Sequence, residues 1–157
     1  MQEKKKMQEK FDEFIFYIDD LVDEIKTAAN VQGFNLDLSL QSLSDLAYYI
    51  RKNNIVNDQE HIAEFLNCWV YLGEVFRLHA NGAEWTVGVN EPKNINYGLY
   101  YLTGYNEIDS EFIPILYVNN FAQSKDRLDN DFFYKLVQSS INPEPPVNLD
   151  YLPTEED

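Results

Sequence analysis

The sequence predicts a single α+β domain in which N-terminal helices pack with a small antiparallel hairpin or sheet and a C-terminal helix. Three observations lead there. The chain opens on apolar residues at three- and four-residue steps, continues through a segment apolar nearly all round, and then changes to short β-prone stretches parted by a turn. Its 157 residues suit one domain. A chain of that size hides roughly 68–70% of its unfolded surface, so a core forms without disulfides or a structural metal. A hydrophobic content of 45% with 15% aromatics excludes intrinsic disorder for most of it. The expected organisation is a polar N-terminal extension over 1–10, the domain over 11–140 and a proline-rich acidic tail over 141–157.

In the first helix, Phe11, Phe14, Ile15, Ile18, Leu21, Val22, Ile25 and Ala29 make one apolar stripe at the 3.6-residue period. Asp12, Glu13, Asp19, Asp20, Asp23 and Glu24 take the opposite side, and Gly33 is the stop signal. Phe16 falls in the middle of that acidic arc, where an aromatic is exposed unless another element covers it. The second helix lies in LSLQSLSDLAYYIRKNN, capped by Ser39 or Ser42, with Ser42 and Asp45 spaced as a capping box. Its buried stripe is Leu43, Leu46, Ala47 and Ile50, and Arg51 and Lys52 complement the helix dipole. The third is expected to start near Asn57 or Asp58 and to bury Ile62, Phe65, Leu66, Trp69, Leu72, Gly73 and Phe76. Apolar residues on its other faces make it central. Gly73 in its middle costs about 1 kcal/mol of helix propensity relative to alanine, which points to a close backbone crossing or a local irregularity.

Asn81-Gly82 then reads as a helix stop rather than a hairpin turn. Residues 84–89 and 97–102 have strand composition, with the turn over 90–94. A short helix ending near Ala122 and a last one starting at Asp129 or Asn130 complete the pattern.

The charge is the unusual feature. Twelve Lys and Arg face 27 Asp and Glu, a net −15. Residues 1–10 carry four lysines and two glutamates, a local +2 that leaves −17 for the rest, and no basic residue follows Lys135. Such a chain is repelled from a phosphate backbone and from an anionic membrane surface, so direct nucleic-acid binding and membrane binding are excluded. With no membrane-length apolar run and no signal-peptide pattern, a cytoplasmic location is expected. Cys68 sits among apolar neighbours and reads as a buried, inert thiol.

No catalytic motif stands out, and neither a cofactor nor a metal is implied. His61 and Glu64 have metal-ligand spacing, but no second such pair exists. Glu74 is the acid to watch, since a carboxylate inside the most apolar helix must be paired, hydrogen-bonded or protonated. Arg77, three residues on, is its natural partner. Together with Glu84 and Trp85 these residues define a possible pocket. Trp85 and Tyr97, Tyr100, Tyr101 and Tyr105 serve either core packing or recognition.

The runs Leu38-Ser39-Leu40-Gln41-Ser42-Leu43, Tyr71-Leu72-Gly73-Glu74-Val75-Phe76-Arg77 and Asn81-Gly82-Ala83-Glu84-Trp85 resemble a layout found in small bacterial domains. There a Gly-Glu helix end leads into a glycine turn and a Trp-bearing strand. The resemblance spans roughly residues 36–140 and implies an α+β fold and a cytoplasmic setting, with no catalytic residue carried over. Size, acidity and the lack of catalytic residues are also similar to those of immunity proteins of bacterial toxin systems. The expected function is therefore that of a noncatalytic acidic protein binding a basic partner protein, with an immunity-type inhibitor as one form of it, through Asp12, Phe16, Asp19, Asp20 and Asp23. The alternatives are a small-ligand binder or enzyme using Glu74, Arg77, Glu84 and Trp85, or a nucleic-acid mimic. The sequence leaves the oligomeric state open.

Overall fold

A computed structural model describes residues 2–89 and 97–142; the expected turn over 90–94 and nearly all of the expected tail lie outside the described residues. The fold is α+β, with five helices and one antiparallel hairpin among the described residues. Helix α1 (Gln2–Val31) takes in the polar stretch as its first turns. Phe11, Phe14, Ile18, Val22, Ile25 and Ala29 form its buried stripe. Two members of the expected stripe fall short of burial: Ile15 is exposed and Leu21 half-buried. At 100° per residue both lie about 60° off the stripe's midline, where a partner surface curves away.

Helix α2 (Ser42–Lys52) starts after a turn in which the Ser39 hydroxyl oxygen accepts the Ser42 amide at 3.1 Å. The Ser42–Asp45 capping box does not form. Ser42 is buried and its hydroxyl donates to the Ser39 carbonyl, while Asp45 accepts the Asn35 amide at 2.7 Å. Helix α3 (Ile62–His79) begins later than expected because Asp58 closes a separate turn, its carboxylate accepting the His61 amide at 2.9 Å. Ile62 is consequently exposed at the helix entrance and Leu66 only half-buried, both against expectation. From Asn67 to Phe76 every residue is buried. Helices α1 and α2 pack on α3, as do α4 (Pro114–Gln123), α5 (Phe132–Ile141) and strand β2 (Tyr100–Thr103).

Asn81-Gly82 is the stop that the sequence predicts, turning α3 into β1 (Glu84–Val87). Gly82 holds φ +85°, and a Cβ there would stand 2.9 Å from the Gly104 carbonyl oxygen. Only glycine fits that approach without a shift. Strand β1 pairs antiparallel with β2, Trp85 opposite Leu102. Strand β2 starts three residues later than the sequence suggests, because Tyr97 and Gly98 belong to a turn with Gly98 at φ +83°. Phe112 then bridges Leu102 through two backbone hydrogen bonds of 2.8 and 2.9 Å, and Pro114 opens α4 in its first turn. Among the described residues no helix is long and apolar enough to cross a membrane.

Arg51 does more than face the α2 dipole. Its guanidinium lies 4.2 Å from the Phe121 ring centroid and donates to Asn130 Oδ1 at 2.7 Å and to the carbonyl oxygens of Lys125 and Leu128. One side chain thereby holds the connection between α4 and α5 on α2. Replacing Arg51 with Met keeps the stem but leaves those acceptors unpaired, and is expected to cost about 1–3 kcal/mol in urea unfolding. Unchanged stability would show that the connection holds itself.

Candidate functional site

The site is built around one buried acid. Glu74 is only 5% exposed, and both of its oxygens accept hydrogen bonds. Arg77, one turn along α3, grips it with two bonds: Nε to Oε2 at 2.7 Å and Nη2 to Oε1 at 3.0 Å. The third donor comes from the hairpin, where Trp85 Nε1–H reaches Oε2 at 2.8 Å. The hydrogen bond to Glu74 holds the Arg77 guanidinium above its ordinary pKa against the opposing effect of burial, and the nearby charges of Glu74 and Asp19 add to it. A carboxylate so engaged positions Arg77 and Trp85.

Gly73 makes the arrangement possible. A Cβ at this position would lie 2.2 Å from Trp85 Cη2, 2.3 Å from Cζ2 and 3.1 Å from Pro114 Cγ. The close approach foreseen from Gly73 is therefore that of an indole and a proline ring. The same indole meets Phe14 edge to face at 5.2 Å, and Phe14 in turn packs on Trp69 and Tyr100. All four tyrosines are half-buried, and of them Tyr100 and Tyr105, the latter against Phe76, pack against the core.

Where β1 leaves α3, an open cleft of about 750 Å³ separates it from α1. Glu74, Arg77, Glu84 and Trp85, the pocket residues singled out in the sequence, all line it. Asp12 and Asp19 of α1 line it too, so two of the five expected partner-binding residues join the same cavity. Phe16, Asp20 and Asp23 do not; they stand exposed on the adjoining face of α1. Phe11, Ile15 and Ile18 supply an apolar wall. Phe11 and Ile18 are buried in the core stripe as the sequence predicts, and of the three only Ile15, offset from the stripe's midline, departs from that placement.

No family model, curated protein or solved structure matches this chain. The geometry of the cleft and of the face beside it is thus what bears on function.

The remaining reactive groups are occupied elsewhere. Cys68 is fully buried in α3, and burial pushes its thiol far up in pKa. His61 Nδ1 lies 3.0 Å from Asp58, and His79 Nε2 lies 3.0 Å from the Leu38 carbonyl oxygen. The Tyr71 hydroxyl, pushed up to about 12 by burial, accepts the Leu38 amide at 2.9 Å and donates to Ser42 Oγ at 2.6 Å. Among the described residues no group of three or more His, Cys, Asp and Glu side chains is placed to hold a metal ion.

The seating of Trp85 on Gly73 has a thermodynamic signature. Gly73→Ala is expected to destabilise the protein by about 1–3 kcal/mol through overpacking, despite the helix preference for alanine. In a Trp85→Leu background, which removes the clashing ring atoms, the same exchange should be close to neutral. A double-mutant cycle by urea unfolding reads that coupling, and additive effects would contradict the contact.

Proposed function

We propose that this protein is a noncatalytic binding protein that presents the acidic face of α1 to a basic partner protein. The observation that carries this is the setting of Phe16, which is 78% exposed. Its neighbours one turn away on the helix, at i−4, i−3, i+3 and i+4, are Asp12, Glu13, Asp19 and Asp20, all exposed carboxylates. Phe16 meets the Tyr17 ring edge to face at 5.0 Å, and Ile15 and Tyr17 are exposed on either side. An exposed aromatic cluster supplies area to anchor a partner, while surrounding carboxylates select for positive charge and speed the encounter. Inhibition of a basic toxin by an immunity-type protein is one form of such binding, and the net −15 supports that form here.

A small-ligand site is the second reading, favoured by the cleft itself. Glu74 weighs against catalysis there, since Arg77 and Trp85 already engage its oxygens.

Phe16→Ala separates a specific surface from bulk charge, because it leaves the net charge unaltered. The immobilised chain should retain a basic protein from a lysate of its source at low salt and release it at high salt, with the protein identified by mass spectrometry. Phe16→Ala should weaken that capture about tenfold, near 1.4 kcal/mol. Capture indifferent to Phe16, or no basic protein retained, would overturn the reading.

A further inference from the structure

We infer that the cleft between α1 and β1 receives a cationic side chain of the partner, an arginine or lysine whose aliphatic stem lies on the apolar wall and whose charged head meets the carboxylates. This rests on the binding function proposed above and deepens it, because Asp12 and Asp19 belong both to the acidic face and to the cleft lining. A chain docked over Phe16 thus has the cleft within reach of its side chains.

Three features of the cavity favour a cation on an apolar stem. Its lining combines Asp12, Asp19, Glu74 and Glu84 with Arg77, the one cation among the described lining residues. Arg77 is committed to Glu74 by two hydrogen bonds, and no ion pair among the described residues joins Asp12, Asp19 or Glu84 to a Lys or Arg. Asp12 is instead hydrogen-bonded by the neutral Gln8 amide at 3.1 Å. The site therefore keeps an excess of negative charge within a concavity, where field lines are focused. Secondly, Phe11, Ile15 and Ile18 give methylene groups an apolar surface, the way long cationic side chains bury their stems while the head stays polar. Thirdly, Trp85 is half-buried at the cleft and held rigid by Gly73 and Glu74. A fixed indole is the best aromatic surface for a cation, and it loses no conformational freedom on binding. An anion would meet the excess carboxylates, and a neutral apolar group would strand them without a partner.

The probe is Nα-acetyl-arginine N-methylamide, titrated into the full-length 15N-labelled chain, with the neutral citrulline counterpart at equal ionic strength. The chain has two tryptophans, so Trp85→Phe identifies the Trp85 indole resonance. The arginine probe should shift that resonance saturably and the citrulline probe should not. Asp12→Asn with Glu84→Gln should weaken the response about tenfold. Asp20→Asn with Asp23→Asn removes the same charge from the face outside the cleft and should leave it within twofold of wild type. Equal response to citrulline, equal loss in both pairs of variants, or a Trp85 resonance that does not move would each overturn the assignment. The two failures are distinguishable. If Trp85 is unmoved while capture of a basic protein still depends on Phe16, the cleft assignment falls and the surface function stands. If the cleft titrates as described while capture ignores Phe16, the surface function falls, and with it the assignment of the cleft's cation to a partner docked over Phe16.

Discussion

The hairpin can sit where it does because α3 has no side chain at Gly73. The Trp85 ring occupies the space a Cβ would take, and this brings its N–H to the carboxylate of the very next residue, Glu74. A buried, ionised carboxylate without partners is too costly for a protein interior. Here two donors from Arg77 and one from Trp85 satisfy it, so an acid in the most apolar helix becomes the pin that fixes strand to helix. Everything on that side of the molecule follows. Phe14 packs on Trp85, Trp69 and Tyr100, which sets where α1 lies, and the gap left between α1 and β1 is the cleft.

Another face of the same half of α3 is held by a different device. Leu38 has a left-handed backbone at φ 66°, a conformation that costs an L residue roughly 1–2 kcal/mol. Its amide donates to the Tyr71 hydroxyl and its carbonyl lies against His79, both on α3. The chain from Tyr71 through Ser42 to the Ser39 carbonyl then ties the start of α2 to the same hydroxyl. Polar groups that the buried helix carries are thus spent on fixing loops to it. This is how a helix with no solvated face in its middle is accommodated, and why α2 begins after an ordered turn.

The fold class, the α1 stripe, the α3 core role and the Asn81-Gly82 stop were legible because each rests on periodicity or local backbone chemistry. The Glu74–Arg77 pair was legible for the same reason, lying three residues apart on one helix. What sequence could not supply were contacts between distant segments: Trp85 on Gly73, Arg51 on the α4–α5 connection, and Asp45 accepting Asn35 instead of closing a capping box. Helix starts slipped for a related reason. Asp58 has the right chemistry to cap a helix, and spends it on a turn four residues earlier. The cleft lay between these levels, since Glu74, Arg77, Glu84 and Trp85 were grouped by their chemistry while the α1 residues that complete it, Asp12, Asp19 and Ile15 among them, were assigned to a separate face or to the core.

The distribution of charge on α1 bears on purpose in a way the net value does not. Asp19 and Asp23, Asp20 and Asp23, Asp20 and Glu24, and Glu9 and Glu13 are like-charged pairs at three- or four-residue spacing. Each costs a helix roughly 0.2–0.5 kcal/mol, and the last turn of α1 carries no basic residue to offset the dipole. Solubility needs only a net charge, which a scattered placement provides without those repulsions. Nor does packing need Phe16, whose ring lies outside the core. A cation brought to this face relieves the repulsion among the carboxylates at the moment it covers the aromatic ring. The same residues that burden the free helix would therefore favour the complex proposed above, and this coupling of charge with exposed aromatic area is what supports reading the face as an interface.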